Sequence, residues 1–139
     1  MRVCALAFNP VQPASILSCS TSEADIIMWD IEAGEEVQRF SGHKQRIWSL
    51  TFSPKQPTVF ATGSDDCTLR LWSTEQQRST LSIKFDTNVC CVAASAWDAN
   101  LYAAGTAGHC MSVYDTRYPN MPISNFPGAV SVFLPIVCA

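Results

Sequence analysis

The chain has 139 residues, enough for one domain of ordinary size, and its nine basic and twelve acidic residues give a formal net charge of −3. That balance supplies no basic run able to neutralise successive phosphates, so nucleic acid is set aside as a partner. No apolar stretch reaches the roughly 18 to 20 residues of a bilayer span, and Met1-Arg2-Val3-Cys4 lacks a signal-peptide layout, so a soluble intracellular protein with no membrane contact is expected.

Compared with itself, the sequence superimposes at a period of about 42 residues. The first repeat holds four runs: Val3 to Pro10, Ser15 to Cys19, Asp25 to Ile31 and Val37 to His43. The second holds Ile47 to Pro54, Val59 to Ser64, Thr68 to Ser73 and Ser79 to Phe85. The third is weaker but in register, with Val89 to Ser95, Leu101 to Gly105, Cys110 to Asp115 and the short Met121 to Phe126. Trp29, Trp72 and Tyr114 mark equivalent places. Each repeat is a set of β-branched or aromatic runs parted by Gly, Pro, Asn, Asp and Ser, which predicts a four-stranded antiparallel meander. One such sheet cannot cover both of its apolar faces, so the repeats must stack, and radial stacking makes an all-β propeller. The expected division is blade one over 1–43, blade two over 44–86, blade three over 87–126, and 127–139 as either the start of a further blade or an aberrant tail.

Gly42-His43, Gly63-Ser64-Asp65-Asp66-Cys67-Thr68 and Trp72, preceded by Trp29-Asp30, resemble the WD-repeat family. In the middle repeat His43, Thr62, Asp66 and Trp72 match that family's structural tetrad. Asp66 can accept from the imidazole and from turn amides, the Thr62 hydroxyl can bridge to the ring, and a buried indole N–H needs an acceptor. Counting back from Trp29, the positions of Thr62 and Asp66 hold Cys19 and Glu23. Counting back from Tyr114 they hold Ala104 and Gly108. One complete network is therefore expected, with the flanking blades resting on apolar packing.

A closer resemblance covers residues 2 to about 117. Gln45-Arg-Ile-Trp-Ser-Leu50, Gly63-Ser-Asp-Asp-Cys67, Asn88-Val-Cys-Cys-Val92 and Tyr114-Asp-Thr-Arg117 are similar to the propeller of the constitutive-photomorphogenesis ubiquitin ligase and its SPA partners (COP/SPA type). In that family one face of the propeller grips an extended peptide with a Val-Pro core and acidic neighbours. By position, the resemblance implies peptide-binding roles for Arg2, Arg46, Trp48 and His109, with Asn88 on the same rim. It also implies other subunits of a ubiquitin ligase complex as partners, and residence in nucleus and cytoplasm. Where the family reads Gly-His-Lys-Lys-Ala-Val on entering the next blade, this chain has Asn125-Phe-Pro-Gly-Ala-Val130, so a weaker hold on peptide is expected.

Each of these residues also has a plainer reading. Trp48 can wedge between blades with Arg46 as a solvated charge, His109 can be a turn residue, and Arg2 stands near a terminus where order is often lost. Asp65 and Asp66 are adjacent in one turn and poorly placed to flank a scissile bond. No nucleophile elbow, phosphate-cradling loop or His-Glu-x-x-His helix is present, so neither a catalytic residue nor a cofactor is expected. The seven cysteines (Cys4, Cys19, Cys67, Cys90, Cys91, Cys110 and Cys138) lack disulfide-framework or zinc-ligand spacing and read as reduced residues. No RING or coiled-coil part is in the sequence, which points to a non-catalytic interaction module. The alternative is a general WD-repeat scaffold with no ubiquitin role. An open stack of three leaves should leave apolar sheet faces bare at either side.

Overall fold

The computed structural model describes residues 2–129. They form twelve strands, and no helix among them is long and apolar enough to cross a membrane. The first sheet is β1 (Val3–Phe8), β2 (Ser15–Ser20), β3 (Ile26–Asp30) and β4 (Glu35–Phe40). The second is β5 (Ile47–Phe52), β6 (Val59–Ser64), β7 (Thr68–Ser73) and β8 (Leu81–Lys84); the third is β9 (Val89–Ala94), β10 (Leu101–Thr106), β11 (Cys110–Asp115) and β12 (Ser124–Pro127). Each sheet is an antiparallel meander in chain order, and the first strands of the sheets, β1, β5 and β9, lie side by side. The chain is thus a partial, all-β propeller. Residues 130–139, which hold most of the expected fourth-blade start or tail, lie outside the described residues.

The two-residue period of a strand explains why the middle sheet reads as almost continuously apolar. On β6 and β7, Phe60 and Trp72 turn towards the first sheet, where with Ile47 of their own sheet they meet Leu17, Met28 and Phe40. Their neighbours Ala61, Leu69 and Leu71 turn towards the third sheet and meet Val89, Val92, Tyr102 and Tyr114. Phe40 packs edge-on to Phe60 at 5.1 Å between centroids, and Phe60 stacks on Trp72 at 6.2 Å. Gly63 permits the second contact: a Cβ there would stand 2.7 Å from Val89 Cγ1. Any side chain at 63 would push β9 away.

Turn chemistry closes each meander. Asn9, Ser53 and Ser95 follow the first strand of each sheet, and their side chains accept backbone amides two or three residues on. On the outward side of β1, Val3, Leu6 and Phe8 stay more than half exposed, the apolar face an unpaired leaf must show. On the outer edge of the third sheet every residue of β12 is exposed, and Pro127 sits where a strand needs no further partner.

Candidate functional site

Because every sheet is a meander stacked on the next, the β4–β5, β6–β7, β8–β9 and β10–β11 connections gather at one end of the stack. His43 arrives there from the first connection and reaches into the second blade. Its Nδ1 is 2.8 Å from Asp66 Oδ2, its Nε2 is 2.7 Å from Thr62 Oγ1, and Trp72 Nε1 donates to the same hydroxyl at 2.8 Å. One tautomer satisfies this chain: the indole N–H donates to Thr62, the Thr62 hydroxyl to Nε2, and Nδ1–H to the carboxylate. Asp66 also accepts the Lys44 and Thr68 amides and the Thr68 hydroxyl. Burial pushes its carboxyl up, but these donors more than offset it, and Asp66 is held well below the usual carboxylate range. His43, Thr62, Asp66 and Trp72 are thereby committed to holding the blade together.

The first blade corrects one expected equivalence. Trp29 pairs with Ile16 across β2 and β3 as Trp72 pairs with Phe60, so the counterpart of Thr62 is Ser18, not Cys19. Trp29 Nε1 donates to Ser18 Oγ at 2.8 Å. Cys19 faces the other way, its thiol directed at the Ile47 carbonyl, and burial raises it to about 12. The β2–β3 turn carries an extra residue, so a fixed count back from the tryptophan falls one residue short. In the third blade Ala104 does occupy the Thr62 position, and no hydroxyl is there to link Tyr114 to a turn.

Strand bulges build the rim of this end. The pairing slips between Val3 and Ala5 on β1 and between Ile47 and Ser49 on β5. On β9 it slips opposite Gly105 and Thr106, where Val89 and Cys91 are the paired residues. The residue left over in each blade is Cys4, Trp48 or Cys90, and a bulge re-aims its side chain out of the ladder. Burial raises the thiols of both Cys4 and Cys90, so neither is a ready nucleophile or metal ligand at neutral pH. Among the described residues no group of three or more His, Cys, Asp or Glu is placed to hold a metal ion.

The five other site residues named from the sequence fall into two sets. Arg46, Trp48 and Asn88 come together. The Arg46 guanidinium lies over the Trp48 ring, 4.9 Å from its centroid, and makes no ion pair among the described residues. Trp48 Nε1 and Asn88 Nδ2 both donate to Asp65 Oδ1, at 2.6 and 2.7 Å. Among the described residues, no side-chain hydrogen bond or ion pair joins His109 or Arg2 to this group. His109 is exposed at the end of the β10–β11 turn; its left-handed conformation (φ 58°) is shared by Cys67 (φ 63°) and Ala24 (φ 56°), half-buried in the turns of the other blades. Arg2 is held through its carbonyl, which accepts the Thr21 amide at 3.0 Å, while its side chain is exposed. Sequence reading missed Asp65, whose only signal was an aspartate pair in a turn.

Three stacked four-stranded meanders, with a Gly-His approach to the middle blade and a buried His-Thr-Asp-Trp chain, define a segment of a WD-repeat β-propeller. The WD domain, G-beta repeat family model matches residues 34–73. More particularly, the chain resembles the COP/SPA proteins. It is 37% identical over 112 residues to SUPPRESSOR OF PHYA-105 1 of Arabidopsis thaliana, covering 81% of this chain and 11% of that protein. It is 32% identical over 127 residues to the E3 ubiquitin-protein ligase COP1 of the same plant, covering 91% and 19%. SPA1-RELATED 3 is 35% identical over 127 residues, covering 91% and 15%. The chain therefore spans less than a fifth of the length of each of these relatives. Its class of function is that of the WD repeat, a non-catalytic module for protein interaction.

Proposed function

We propose that the Arg46–Trp48 rim receives an extended peptide segment of a regulatory protein, with a Val-Pro core and acidic neighbours. In this reading the chain is a substrate-receptor piece of a COP/SPA-type ubiquitin ligase complex, working with other subunits in nucleus and cytoplasm. Transfer of ubiquitin would belong to those subunits. One observation carries the proposal: an unpaired guanidinium and a partly exposed indole, 37% accessible, are held against each other at the loop end. An indole face suits the flat, apolar ring of proline, and Arg46 can form a forked pair with a carboxylate beside it. Arg and Trp are also the side chains that most often dominate interface energetics. His109 and Arg2, exposed on the flanking blades, are proposed as outlying contacts to the acidic residues, and Asn88 as part of the rim.

The test is a titration of a fluorescent Val-Pro peptide carrying acidic flanks. Trp48→Ala and Arg46→Glu should each weaken binding by about thirtyfold, the equivalent of roughly 2 kcal/mol for a desolvated anchor. Replacing the acidic flanks with glutamine should erase the Arg46 effect and leave the Trp48 effect. Affinity unchanged in both variants would remove the peptide site and leave a WD-repeat scaffold without this partner.

A further inference from the structure

Asp65 and Asp66 are neighbours, yet their carboxylates do different work. Asp66 turns into the interface with blade one and is consumed by His43, Lys44 and Thr68. Asp65 turns to the rim, where one oxygen accepts from Trp48 of its own blade and from Asn88 on the loop that opens blade three. A single carboxylate therefore ties the bulged residue of one blade to the entry loop of the next. Its own amide closes the arrangement by donating to the Arg46 carbonyl at 2.9 Å.

The corresponding turn positions in the other blades are Thr21 and Ala107, whose amides likewise donate to the Arg2 and Asn88 carbonyls, and the corresponding bulge residues are Cys4 and Cys90. The Thr21 hydroxyl donates to the Arg2 carbonyl, and Ala107 has no acceptor on its side chain. Among the described residues only blade two pairs a bulged aromatic with an acidic anchor. The pairing has a physical purpose. A side chain pushed out of the ladder by a bulge has free torsions, and a partly exposed indole loses entropy when a ligand fixes it. A short, charge-assisted bond to its N–H fixes the ring beforehand. Asp65 does this without neutralising Arg46, since the two form no ion pair.

We infer that Asp65 is a positioning residue: its carboxylate, bonded to both Trp48 and Asn88, sets the plane of the indole and keeps Arg46 available to an acidic partner. This rests on the reading of the rim as a peptide site, so the test has two independent arms. In the whole 139-residue chain, the Trp48 indole N–H resonance is assigned through Trp48→Phe and followed by NMR. Asp65→Ala, or the isosteric Asp65→Leu if the first does not fold, should shift that resonance and speed its exchange with solvent. Asp65→Asn, which keeps an acceptor oxygen, should largely restore both. An unmoved resonance overturns the inference whatever the peptide does.

The second arm measures peptide affinity in a double-mutant cycle. Asp65→Ala should weaken binding about tenfold when Trp48 is present and have no further effect in the Trp48→Phe background, which lacks the N–H. Equal losses in both backgrounds would show that Asp65 does not act through the indole and would overturn the inference. Wild-type protein that ignores the peptide while its indole resonance still answers to Asp65 would sink the proposed function instead, with the anchoring of Trp48 intact.

Discussion

Blades two and three share one strand plan, one turn geometry and an aromatic at the same place on their third strand, but they bury very different things. Blade two encloses Thr62 with no exposure at all and accounts for its polar groups through His43, Asp66 and Trp72. Blade three has Ala104 in the Thr62 position and Tyr114 in the Trp72 position, the latter packed edge-on against Phe85 at 5.3 Å. Its Tyr102 hydroxyl is buried on the Ser53 side and makes no hydrogen bond among the described residues. Apolar alternation is thus enough to make a leaf. The polar chain is an added device that ties the last connection of one leaf into the body of the next, and a completed network of this kind rewards every member while penalising the loss of any one.

The sharpest probe of that contrast is truncation of the marking aromatic. Trp72→Ala removes a fully buried ring that touches Phe40, Phe60 and the network, and should cost about 3–5 kcal/mol in urea unfolding. Tyr114→Ala, from a position slightly open to solvent and without such a chain, should cost about 2 kcal/mol. Equal costs would mean that packing alone carries both blades.

A smaller effect separates the hydroxyls. Thr62→Val keeps shape but strands the Trp72 N–H and His43 Nε2, and should cost about 2–3 kcal/mol. Ser18→Ala, which strands only the half-buried Trp29 N–H, should cost about 1 kcal/mol. A Thr62→Val variant as stable as the parent would show that the network contributes nothing beyond its volume.

The leaves themselves are legible in the sequence because strand periodicity and turn residues are local signals. Every expected run of the middle repeat overlaps one strand of the second sheet, and the Trp29, Trp72 and Tyr114 marks occupy matching places on β3, β7 and β11. Local signals stop at register. Ser18 and Cys19 are indistinguishable by counting, because pairing across a turn, not distance along the chain, decides which side chain faces the indole. The rim was partly legible: Arg46, Trp48 and Asn88 could be named from a family resemblance. Their shared acceptor could not, since the bonding of Asp65 depends on a turn, a bulge and a neighbouring blade that meet only in three dimensions.

The smallest expected effect is a dependence on acid. Asp66 is held below the ordinary carboxylate value of 3.8, since the donors from His43, Thr68 and Lys44 outweigh its burial. A carboxyl whose folded value is depressed stabilises the fold above its unfolded value and loses that contribution as pH falls through the folded one. Stability should therefore be level near pH 6 and decline below about pH 4 as the unfolded chain gains a proton that the folded one resists. Glu36 and Asp115 are also depressed, by the Arg39 and Arg117 guanidinium groups beside them; the Glu36 pair is exposed and weakened by solvent, while Asp115 is itself buried and only its Arg117 partner is exposed. Asp66→Asn should accordingly be less stable than the parent at pH 6, and the gap should narrow towards pH 3. Blade three offers the control: its turn has Gly108 where blade two has Asp66, so a Gly108→Asp variant, lacking a histidine to pair with, should gain no such dependence. A gap between parent and Asp66→Asn that stays constant with pH would locate the acid sensitivity elsewhere and remove the electrostatic part of the contrast between the two blades.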